Sequence, residues 1–100
     1  MRFWDTSNPE RPTGVKDPQA ILDYPIDFSE WLAEMGDSHA SHTITTTGGL
    51  TVVASGAANG VITPLLSGGT LGETASFTVH IVTAGGREDE RTFYLRIQER

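Results

Sequence analysis

The chain has 100 residues, 37% of them hydrophobic, no cysteine and a formal net charge of −6. That length supports one domain, and the missing cysteines exclude disulfides, thiolate catalysis and cysteine-ligated metals. No lysine or arginine lies between Asp17 and Gly86, so the concentrated positive surface that a binder of nucleic-acid backbones needs is absent.

Residues 1–19 read as an extended N-terminal arm. Pro9, Pro12 and Pro18 remove backbone donors, and Ser7-Asn8-Pro9 and Thr13-Gly14 supply turn chemistry. Phe3 and Trp4 are out of character for a disordered tail, because burying them gains apolar contact. Three readings stand: they fold back on their own domain, they are leftover sequence with no role, or they anchor on a neighbouring subunit. The opening Met1-Arg2-Phe3-Trp4-Asp5 lacks a signal peptide's apolar centre, and no run reaches the roughly eighteen apolar residues of a spanning helix. Neither standard secretion nor membrane anchoring is expected.

Residues 20–100 read as one β domain. Leu22, Tyr24, Ile26 and Phe28 alternate with polar positions, and Pro25 marks an edge or a break between two short strands. Ser29 to Met35 suits one or two helical turns, with Asp27 or Ser29 as cap, Trp31 facing inward and Gly36 as the stop. His39 to Thr47 is a polar, threonine-rich strand. Leu50 to Ala54 and Val61 to Thr63 follow, separated by the reverse-turn pair Asn59-Gly60, with Pro64 at the edge or end of the second. Phe77, Val79 and Ile81, then Phe93, Leu95 and Ile97, alternate in two longer runs around Ala84–Asp89, which predicts a hairpin. Six or seven short strands at intervals of about ten residues favour a sandwich or small barrel over alternating α/β units. The core expected from this pattern is Leu22, Tyr24, Ile26, Phe28, Trp31, Phe77, Val79, Ile81, Phe93, Leu95 and Ile97.

Catalytic chemistry finds little support. Gly68-Gly69-Thr70-Leu71-Gly72 resembles a phosphate loop only loosely, since it lacks the lysine and the following helix. His39, His42 and His80 could hold zinc in principle, but on a regular strand His39 and His42 face opposite ways. Asp23 and Asp27 share a face and could divide acid and base roles; caps or a solvated face explain them as well. The expectation is no enzyme: no catalytic residue, no cofactor and no metal. Tyr94, on the face opposite Phe93, together with Arg96 suits a protein interface, where aromatics and arginine are favoured.

One stretch carries a resemblance. Lys16-Asp17-Pro18, Leu22-Asp23-Tyr24, Asp27-Phe28-Ser29-Glu30-Trp31-Leu32 and Gly36-Asp37 resemble small immunoglobulin-like structural proteins of tailed phages of the fiber–tail adaptor type. The match continues into Gly49-Leu50-Thr51-Val52 and Val82-Thr83-Ala84-Gly85-Gly86-Arg87, and departs at the polar His39-Ala40-Ser41-His42. The resemblance implies an all-β, immunoglobulin-like sandwich of about seven short strands and one helical turn. It implies a non-enzymatic, multicopy link between tail or neck and fiber or receptor-binding components. The place implied is the virion's tail or neck, after assembly in the host cytoplasm. The implied partners are copies of the chain in a ring or homo-oligomer and the tail, neck or fiber proteins, not a specific nucleic-acid sequence or a membrane. Phe3, Trp4, Tyr94 and Arg96 are the interface candidates. The alternative is a carbohydrate- or receptor-binding β-sandwich with its glycine-rich connections as recognition loops.

Overall fold

The computed structural model describes residues 13–99. Eight strands and one helix follow in order: β1 (Thr13–Lys16), β2 (Leu22–Asp23), β3 (Ile26–Asp27), α1 (Ser29–Met35), β4 (His39–Thr46), β5 (Leu50–Ala58), β6 (Val61–Gly68), β7 (Thr74–Thr83) and β8 (Glu88–Ile97). Sheet A runs β1-β8-β7-β4; in sheet B, β6 is central, with β2 and β3 along one side and β5 along the other. Two sheets face to face make an immunoglobulin-like β-sandwich.

The alternating residues of both sheets meet between them. Phe77, Val79, Ile81, Phe93, Leu95 and Ile97 from sheet A pack on Tyr24, Ile26, Phe28, Ile62 and Leu66 from sheet B, with Leu32 of α1 closing one end. The rings of Phe77 and Phe93 stack at 5.4 Å, and Tyr24 lies 5.9 Å from Phe77. Trp31 is half-buried, edge-on to Phe28 at 6.1 Å. Leu22 departs from expectation. It keeps the inward parity opposite Leu66, but it is 38% exposed because it sits at the outer end of an edge strand. Alternation fixes a side chain's face, not its depth.

Two further findings qualify the expectations. Within the stretch expected to be an arm, Thr13–Lys16 pairs in parallel with Tyr94–Ile97. Pro64, expected at the edge or end of its strand, is buried in the middle of β6. The reason lies in the ladder. Tyr24 donates its amide to the Pro64 carbonyl at 3.0 Å, and Pro64 has no N–H to return. The missing donor faces the β2–β3 side, where Pro25 already interrupts the edge, so the ladder between β5 and β6 is untouched.

Candidate interface and its anchors

At the start of the described chain, Lys16 is fully buried between the sheets. Its ammonium donates to three backbone carbonyls, those of Asp17 (3.0 Å), Ala20 (2.7 Å) and Gly68 (2.7 Å). Three N–H bonds are all that an ammonium has, so the group is saturated without a carboxylate at its head. Burial pushes its pKa below the ordinary lysine range, with neighbouring Asp17 opposing the shift. The bonds tie the end of β1, the turn at 17–20 and the end of β6 together, and so link the start of the described chain to both sheets.

A second node ties the helix to the β7–β8 hairpin. Gly36 closes α1 at φ 61°, a left-handed conformation suited to glycine. That turn aims Asp37 at the hairpin, where its carboxylate accepts the amide of Gly85 (3.0 Å) and the guanidinium of Arg87 (2.9 Å) besides its neighbour Ser38. The hydroxyl of Thr83 and these amides hold the Asp37 carboxyl far below the usual carboxylate range. Neither Asp27 nor Ser29 takes the N-cap position of α1, which falls to Phe28 with no side-chain cap bond; Asp27, one residue earlier, accepts the Ser29 amide at 2.8 Å, and its pKa is lowered by Ser29. A general acid needs the opposite shift. Arg91 lies 4.3 Å over the Phe28 ring and donates to the Asp27 carbonyl, covering this end of the core.

The histidines differ from expectation. A bulge between His39 and Ser41 inserts one residue into β4 and turns both His39 and His42 to the same side. Their ring nitrogens meet at 2.9 Å, and the other nitrogen of His42 reaches Ser55 of β5 at 3.0 Å. Burial, and then His39, push the His42 pKa down. The chain of contacts joins β4 and β5 at the sides with which no other described strand pairs. No cluster of three or more metal-ligating side chains occurs among the described residues, and no described helix is long and apolar enough to cross a membrane. Beside the histidines, a cleft of about 470 Å³ lies between α1, β4 and the β5–β6 turn.

Of the interface candidates, Tyr94 and Arg96 lie on the outer face of sheet A, Tyr94 half-buried and Arg96 exposed. Phe3 and Trp4 fall outside the described residues. Sequence reasoning placed Lys16 and Asp37 within the resemblance but gave them no physical role, and it did not single out the β5 edge. The signal for Lys16 was its isolation, as the one cation between Arg11 and Arg87.

The described residues form a two-sheet β domain whose buried polar groups tie its own elements together. A family profile described as podophage GP4 fiber-tail adaptor protein gp77 matches residues 16–96. The chain belongs to that family; it is a non-enzymatic structural adaptor of a tailed phage, linking tail or neck to fiber components in the virion. A search of curated proteins gives no match. The match begins at Lys16, the residue that ties β1 to the end of β6.

Proposed function

We propose that the chain acts as a multicopy link: copies join in a closed ring or collar, and residues 1–12, bearing Phe3 and Trp4, bury against a neighbour. The outer face of sheet A around Tyr94 and Arg96 then meets tail or fiber protein. A repeated contact of this kind gains from several copies engaging together.

The observation that carries this reading is the attachment of the arm. β1 runs parallel to β8, so the preceding chain leaves beside the middle of β8 while residues 98 and 99 leave past the opposite end. Tension between those exits slides β1 along β8 and loads its bonds together, instead of peeling them one at a time. Lys16 pins the trailing end of β1 to sheet B. That is a fitting root for a load-bearing tether.

The test is capture of virion proteins by the full chain and by a chain starting at Thr13, with sedimentation of both. The reading expects tail or fiber proteins on both baits, if sheet A carries that contact, and self-association only in the full chain. A full chain that stays monomeric with its virion partners bound overturns the multicopy reading.

A further inference from the structure

The free edge of β5 is unusually open. No Asp, Glu, Lys or Arg occurs from Ser38 to Leu71, which spans β4, β5 and β6. Exposed edges are commonly blunted by charge, proline or a bulge. β5 has a bulge at Val53, but from Ala54 to Ala58 its register with β6 is unbroken, and every side chain there is small and exposed. The ladder also gives the direction of each backbone group. Phe28 donates to Gly60 at 2.8 Å and Tyr24 to Pro64, so the groups of Gly60, Ile62 and Pro64 point toward β2 and β3. Opposite Ile62 and Pro64 sit Ala57 and Ser55, whose own N–H and C=O therefore point away from β6. Among the described residues no strand pairs with that side.

We infer that this edge accepts, by strand addition, residues 1–8 of a second copy of the chain. The inference rests on the multicopy reading and names its acceptor. Three observations select that occupant. First, β1 and β4 are opposite edges of sheet A, and β5 lies beside β4, so donor and acceptor stand on opposite flanks of one domain. Head-to-tail contacts of that kind close into rings when the rotation allows. Second, residues 1–8 form the proline-free run ahead of Pro9 and Pro12, long enough to cover Ala54–Ala58, with the remaining residues as spacer. Arg2 and Asp5 balance in charge, so the run suits an uncharged edge. Third, strand addition takes affinity from the backbone and specificity from pockets beside it. The cleft lined by Leu32, Ala33, His39, Ala57 and Ala58 adjoins this edge, and Phe3 or Trp4 is the side chain to fill it.

The test uses the full chain: sedimentation over a concentration series, with amide exchange read at Ser55 and Ala57. Wild type should associate, and both amides should become protected only in the associated form. Ala57→Pro removes an outward N–H and no bond to β6, and should weaken association at least tenfold. Ala57→Lys, which leaves the backbone intact, should do the same should the proline disturb folding. Trp4→Ala should weaken association too, and the double variant Trp4→Ala/Ala57→Lys should lose little more. Association that survives both Ala57 variants overturns this inference and leaves the multicopy reading standing. Protection in the monomer means that the chain caps its own edge, and protection only on adding tail or fiber protein assigns the edge to that partner; either overturns it. A monomer with both amides exchanging freely overturns both readings.

Discussion

Replacing Lys16 by methionine keeps most of the apolar stem and removes the ammonium. The carbonyls of Asp17, Ala20 and Gly68 then lose a donor each, at a site where the native side chain is fully buried. A hydrogen bond to a charged group contributes about 1.5–3 kcal/mol net, and an orphaned buried acceptor costs about 1–3 kcal/mol. Water entering beside the smaller head relieves part of the loss, and the native ammonium is itself costly to bury, which its lowered pKa records. The net expectation is a loss of about 3 kcal/mol, the low end for breaking a buried charged network. A domain of this size holds roughly 5–15 kcal/mol in all. At about 4–8 °C per kcal/mol, the melting temperature should fall by roughly 12–24 °C. Thermal and urea unfolding followed by far-UV circular dichroism measure it, with an unchanged urea slope showing that the denatured state is the same. A variant within about 1 kcal/mol of wild type, on the scale of an ordinary single hydrogen bond, would refute the argument. Desolvation of the ammonium would then cancel its bonds, and the lock at the arm's root would not exist.

Asp37→Asn should lower the melting temperature more than Arg87→Ala. Asp37 is 5% exposed at its side chain and bonds two backbone amides, whereas Arg87 is 53% exposed and screened; equal effects in the same unfolding assay would contradict this. The depressed pKa of His42 gives a pH dependence whose sign is fixed. The fold favours the neutral imidazole while the unfolded chain protonates near pH 6.5, so this stability is present above about pH 6.5 and lost as pH falls below it. Melting temperature should drop as pH falls below about 6.5, and less steeply in His42→Gln. Identical slopes would show that the ring pair contributes nothing.

Much of the sandwich was legible because β7 and β8 are long, alternate strictly and pair across a hairpin in one register, so a period of two identifies both strands and their inward faces. What escaped depends on partners distant in sequence. Pro64 reads as a strand end in isolation, and becomes tolerable only because its missing donor faces an edge that Pro25 has already broken. His39 and His42 read as opposed because a bulge cannot be seen in a run of small polar residues. Lys16 shows no structural role among its sequence neighbours, because Gly68, which supplies one of its carbonyls, lies 52 positions on. The adaptor role was legible only as a resemblance carried by named motifs. The Gly36-Asp37 pair in that resemblance has a physical meaning that sequence did not give: a left-handed stop that aims a carboxylate at a distant hairpin.

The parallel β1–β8 pairing leads to a last expectation, about force. Resistance to pulling follows the unfolding rate, which depends on contacts that must break before the barrier is crossed. When the chain is held at its two ends, those contacts are the Thr13–Lys16 ladder and the Lys16 bonds, since β1 must slide free before sheet A loses β8. Single-molecule pulling should therefore give a lower rupture force for Lys16→Met than for wild type. Asp37→Asn acts at the hairpin, away from the sliding strand, and should shift the rupture force little even where it lowers the melting temperature. Matching losses of force in both variants would mean that the domain yields as a whole under load. In that case the parallel strand would be part of the fold without being the bearing point of the tether.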